Sequence, residues 1–164
     1  MRILGIDPGS RHTGWGIVDA RGSRLRALAW GRISPPARAP LATRLAQLAR
    51  GLSEIVEREQ PDAAAVEEPY HGINPRSLIV LAEARGALLS VLGGLGIPIA
   101  EYPPATVKSA VTGSGRAEKN QVARMIHLLA GVPRQPPLPA DASDALAVAI
   151  CHAHRRRFDG LARD

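Results

Sequence analysis

The chain has 164 residues, 21 Lys and Arg against 15 Asp and Glu, and a formal net charge of +6. This length fits one domain that buries roughly 70% of its unfolded surface without a disulfide or structural metal, and the lone cysteine, Cys151, excludes an internal disulfide framework and suits a reducing cytosol. The basic excess favours a polyanionic partner, nucleic acid before membrane, although arginine supplies 19 of the 21 cations, as a GC-rich coding bias alone would produce.

RILGID (2–7) predicts a short buried strand, and PGSRHTG (8–14) a turn punctuated by Pro8, Gly9 and Gly14. WGIVDA (15–20) predicts a second strand, with a tight turn at Arg21-Gly22. RLRALAWGRI (24–33) alternates basic and apolar residues, the period of a half-exposed strand. Three strands on short turns make an antiparallel meander. After a proline-rich loop (34–40), a helix over 41–60 places Leu41, Leu45, Leu48, Leu52, Ile55 and Val56 on one stripe, and Pro61 ends it. DAAAVEE (62–68) reads as a buried strand, PYHGINP (69–75) as a loop, and 76–96 as a mostly apolar helix closed by glycines. A fifth strand (97–102), a short helix (104–111), a glycine loop (112–117), an amphipathic helix (118–131), a second proline-rich loop (132–139) and a last helix (140–158) follow.

The expected fold class is α/β, a mixed five-stranded sheet of three antiparallel then two parallel strands, with helices on both faces. Residues 1–158 would form the single domain and 159–164 a short tail. The N-terminal apolar run is too short for a signal peptide, and no window is expected to approach the ~20 apolar residues of a membrane span. The expectation is a soluble, cytoplasmic protein with no membrane partner.

Four carboxylates fall at telling places. Asp7 ends the first strand and Glu67 the fourth, while Asp141 and Asp144 lie three apart at the start of the last helix and share a face. If the first and fourth strands are neighbours, all four can meet. Taken singly, Asp7 is also a good turn residue before Pro-Gly, and Asp141 a good residue for a helix start. Together they would repel one another unless cations fill the cluster. Hard oxygen donors suit Mg²⁺ or Mn²⁺ rather than Zn²⁺, and two such ions about 4 Å apart serve in-line displacement at a phosphodiester.

GIDPGSRHTGWG (5–16), EEPYHGINPRSLIVLAEARG (67–86), VKSAVTGSGRAEKNQV (107–122) and DASDALAVAICH (141–152) occur in an order that closely resembles the RuvC-type Holliday junction resolvases. The resemblance implies an RNase H-like fold, a homodimer, and divalent-metal cleavage of four-way DNA junctions to 5′-phosphate and 3′-hydroxyl ends, in cooperation with the RuvA–RuvB branch-migration complex. It places the acidic tetrad on Asp7, Glu67, Asp141 and Asp144. Asp7 would bridge both metals, Glu67 would hold one, and Asp141 with Asp144 the other. The basic active-site positions fall on Lys108 and Lys119, the only two lysines in the chain. The family usually has Phe where Tyr70 stands, a ring that would stack on an opened base, and Gln where Glu68 stands. Ala82-Glu83 replaces a common Gly-Gln pair, and Asp141 stands where some relatives have His.

Arg76, Arg85, Lys108, Arg116, Lys119 and Arg124 lie in segments near the proposed site, and we read them as lining two DNA arms. The helix at 76–96 is apolar over more than one face, which suits either burial on both sheet and partner or a fully buried core helix. A C₂ dimer would supply two matched sites to a nearly two-fold junction. A catalytically silent junction-binding protein, an actin-like ATPase and an RNase H-like enzyme acting on RNA are the competing readings. The ATPase would need a second lobe, for which the chain has no room.

Overall fold

Alternation along the first strand decides the layering. Ile3 faces one hydrophobic core, and Leu4 and Ile6 face the other. A strand apolar on both sides has to be covered on both sides. The computed structural model describes residues 1–69 and 74–161, with side chains through 157. It contains strands β1 (Arg2–Asp7), β2 (Thr13–Arg21) and β3 (Arg24–Ile33), helix α1 (Leu41–Glu59), β4 (Ala63–Glu67), α2 (Pro75–Gly94), β5 (Ile99–Tyr102), α3 (Pro104–Thr112), α4 (Lys119–Ala130) and α5 (Ala140–Leu161). The sheet order is β3-β2-β1-β4-β5. The first three strands pair antiparallel, and β4 runs parallel to β1 and to β5. The mixed α/β sheet expected from the sequence is thus borne out.

One core packs α1 and α2 against Leu4, Ile6, Ile17, Ala64 and Val66. The apolar stripe of α1 does this through Leu48, Leu52, Ile55 and Val56, all buried. The opposite core packs α3, α4 and α5 against Ile3, Val18 and Ala65. Helix α5 lies closest to the sheet, because β1 and β2 offer it glycines. A Cβ at Gly5 would collide with the carbonyl oxygen of Ala145, one at Gly14 with the carbonyl oxygen of Asp141, and one at Gly16 with the side chain of Leu146. Gly5 and Gly16 are cross-strand partners, so the three form a flat seat.

Four expectations need correction. The turn after Asp7 is shorter than 8–14, because Thr13 and Gly14 already belong to β2. Buried Thr13 closes it by donating from Oγ1 to the Gly9 carbonyl at 2.9 Å. Helix α5 continues to Leu161, past its expected end at 158. Helix α2 does have the length and composition to cross a membrane, with a window of mean hydropathy 1.5. It is not a fully buried core helix: Ala84, Leu88 and Leu92 are buried against the sheet, while Ile79 is 61% exposed.

Candidate active site

Parallel pairing sets Ile6 of β1 beside Val66 of β4. Asp7 and Glu67 are the next residues along, at the carboxyl ends of adjacent strands, where open α/β sheets form their clefts. Across the sheet, Asp7 is in register with Gly14, and Gly14 with Arg32. The bare Gly14 lets the Asp141 backbone settle onto this row. Asp144 follows on the same helix face, so the glycine seat delivers both α5 carboxylates to the strand ends. Lys119, the first residue of α4, donates from Nζ to Asp144 Oδ2 at 2.9 Å. Arg32 Nη1 lies 3.9 Å from Asp141 Oδ2.

The electrostatics follow from this crowding. Burial, then the charges of Glu67, Asp144 and Asp141, push the Asp7 carboxyl up to about 8, against a partial offset from Lys119. Burial and Asp144 push Glu67 up to about 7, with Lys119 and Lys108 acting the other way. The hydrogen bond and charge of Asp144 raise Lys119. Two carboxyls that resist ionisation near neutrality lack counter-charge. Four carboxylates with no thiolate or imidazole among them form a hard-oxygen donor set, and they fit Mg²⁺ or Mn²⁺. Among the described residues, no three Asp, Glu, His or Cys side chains converge into a ready-made cage. The charges of Glu67, Asp144 and Asp141 all act on Asp7, and Lys119 and Arg32 engage Asp144 and Asp141 respectively.

Two clefts meet at Glu67 and Pro104. One is lined by Asp7, Glu67, Glu68, Leu81 and Arg85, the other by Glu67, Lys108, Lys119 and Asp144. Lys108 thus lines the second cleft beside Glu67, Lys119 and Asp144. Arg85 stands at the cleft, but it is ion-paired with Glu101, and its Nε points to the Glu67 carbonyl at 3.5 Å. Arg76, Arg116 and Arg124 are exposed, on α2, on the loop before α4 and on α4 respectively. Tyr70 lies outside the described residues. Sequence reasoning missed Arg32. Its place in line with Asp7 and Gly14 becomes visible only once the register is known.

This sheet order, with carboxylates gathered at the strand ends and helices on both faces, defines a nuclease of the RNase H-like class. The family described as crossover junction endodeoxyribonuclease RuvC matches residues 3–152. The chain belongs to that RuvC family. Its relatives include proteins bearing the same description from Azorhizobium caulinodans, 50% identical over 99% of this chain and 95% of that one, and Paramagnetospirillum magneticum, 51% identical over 95% and 93%. Among solved structures, Thermus thermophilus RuvC in complex with a Holliday junction substrate is similar at a TM-score of 0.90 and 32% identity, over 97% of this chain and 96% of that one. The yeast mitochondrial resolvase Ydc2, at 14% identity and a TM-score of 0.69, shares the fold.

Proposed function

We infer that this chain is a structure-selective endonuclease that resolves Holliday junctions by paired, symmetric nicks in DNA during recombination and repair. The observation that carries this is the placing of Asp7 and Glu67 at the ends of adjacent strands, with Asp144 on the wall of the cleft that Glu67 shares and Asp141 on the same helix, in a chain of the RuvC family. Asp7 and Glu67, with the two α5 carboxylates, would hold Mg²⁺ or Mn²⁺, two ions per site. Such ions, when bound, supply the positive charge that water activation and leaving-group stabilisation need in an in-line displacement, giving 5′-phosphate and 3′-hydroxyl ends. Lys119 holds Asp144 in place and presents a cation beside the strand ends where a phosphate would lie. Lys108 adds a second point charge on the same cleft. The exposed Arg76, Arg116 and Arg124 supply phosphate contacts for the DNA arms, and Tyr70 a ring for an opened base. Arg85, tied to Glu101, shapes the cleft wall instead.

A four-way junction is nearly two-fold symmetric, so two matched sites are needed. The exposed apolar side of α2 is the surface we assign to a homodimer. Partnership with the RuvA–RuvB complex and a cytoplasmic location follow from the family reading. The test is cleavage of a synthetic mobile four-way junction with Mg²⁺ and with Mn²⁺, beside a matched linear duplex and Asp7→Asn. Symmetric nicks in the junction alone, absent from the variant, are expected. Tight binding without nicks under either metal would leave a junction-binding protein instead.

A further inference from the structure

Strand β5 is the short, half-exposed edge of the sheet, and among the described residues β4 is the strand it pairs with. It nevertheless aligns the site. Tyr102 is the cross-strand partner of Glu67, and its carbonyl accepts the N–H of Glu68 at 2.9 Å. The end of β4 is therefore held in place by the end of β5. What holds β5 is a pair of ties, one on each face. On the α2 face Glu101 pairs with Arg85. On the other face the Tyr102 phenol lies 2.8 Å from Nδ1 of His152, with ring centroids 5.9 Å apart at 57°.

His152 belongs to α5 and sits about two helical turns beyond Asp144 on the same side. It is buried, and its Nε2 has no hydrogen-bond partner among the described residues. The bond to Tyr102 is thus the polar contact this ring keeps. Burial, and then the charge of Arg156, hold the imidazole below the ordinary histidine range, so it meets the phenol uncharged. A buried neutral His with one specific polar bond is an expensive way to fill a core position that Leu would fill without an unpaired nitrogen.

We propose that the Tyr102–His152 pair is a positioning strut that ties the strand aligning Glu67 to the helix carrying Asp141 and Asp144, and so sets the separation between the two halves of the carboxylate set. The inference deepens the carboxylate reading given above and rests on it. Neither residue touches the reacting atoms, and both act through Glu67.

The test uses Tyr102→Phe, which removes one oxygen and leaves the ring, His152→Leu, which removes its partner, and His152→Asn, which restores a polar atom near the Nδ1 position. For each, kcat and KM for junction cleavage, junction affinity without metal, and Mn²⁺ affinity by calorimetry without DNA are measured. Tyr102→Phe and His152→Leu should lower kcat by about tenfold or more. They should also weaken Mn²⁺ binding severalfold, with junction affinity within about twofold of the parent. His152→Asn should recover most of the loss. Parental kcat and Mn²⁺ affinity in Tyr102→Phe overturn the proposal. So does His152→Asn being as impaired as His152→Leu, or junction affinity falling in step with cleavage, since each makes the pair mere packing. The parent is assayed alongside: if it does not cut, the nuclease reading fails, while its Mn²⁺ affinity against that of the variants still reports on the strut.

Discussion

Asp7 and Glu67 make the site electrostatically unfavourable until something positive arrives. The Asp7 carboxyl has an ordinary value of 3.8 and is raised to about 8; Glu67 goes from 4.5 to about 7. For a carboxyl raised in the folded state, stability is fully present below the unfolded value and is lost as pH rises through the folded one. Metal-free protein should therefore melt at its highest temperature near the acid end of this window and lose stability between about pH 4 and pH 8. Adding Mg²⁺ or Mn²⁺ at pH 8.5 should restore it, and Asp7→Asn should raise the metal-free Tm there by a few degrees while abolishing cleavage. Calorimetry across pH, with and without metal, checks both. The four carboxylates were legible in the sequence only as a set: singly Asp7 reads as a turn residue and Asp141 as a helix-start residue, but together at two strand ends and one helix start they need a cation between them. Arg32, Tyr102 and His152 were not, because their roles depend on which residue stands opposite in the sheet. Arg85 reads as a free cation in sequence, and only the fold supplies Glu101.

At the scale of elements, boundaries were legible where one period dominated. The basic–apolar alternation of RLRALAWGRI gave β3 its observed limits. The start of β2 was not legible, since Gly14 reads as a turn residue when its actual use is to admit the α5 backbone. Helix α4 is a further case, because its first residue is Lys119 and its start determines where that ammonium points. Gln121 Oε1 accepts the N–H of Glu118 at 2.9 Å, fixing the chain as it enters the helix. Gln121→Ala should cost about 1 kcal/mol of stability. It should also lower cleavage more than so small a destabilisation explains, because the Lys119–Asp144 bond loses its anchor. Chemical denaturation beside a kcat measurement separates the two effects.

For the whole molecule, α2 carries the exposed apolar side that we propose for a homodimer. Its buried side serves the core through Ala84, Leu88 and Leu92, yet its sequence is apolar enough to satisfy a second surface. Ile79, at 61% exposure, is the most open of its large apolar side chains. Ile79→Asp should leave the monomer folded and shift the molecular mass in light scattering from dimer to monomer. Nicks by this variant should be single and uncoordinated, whereas the parent gives paired nicks. The basic excess makes a separate expectation at this scale: junction affinity should fall steeply with salt, as phosphate neutralisation requires. A titration of binding against salt, with the slope compared between parent and Arg124→Ala, reads the contribution of that arginine.

The glycine seat under α5 has a genetic consequence. Glycine and alanine codons differ by a single base, so Gly5, Gly14 and Gly16 each lie one base change from alanine. At Gly5 and Gly14 the new methyl would meet a backbone carbonyl that has nowhere to go, and such alleles should behave as nulls at every temperature. At Gly16 it would meet mainly the rotatable end of Leu146, so that allele should be conditional, supporting survival after DNA damage in the cold and failing when warm. A lineage carrying it would keep a resolvase only within a narrowed thermal range.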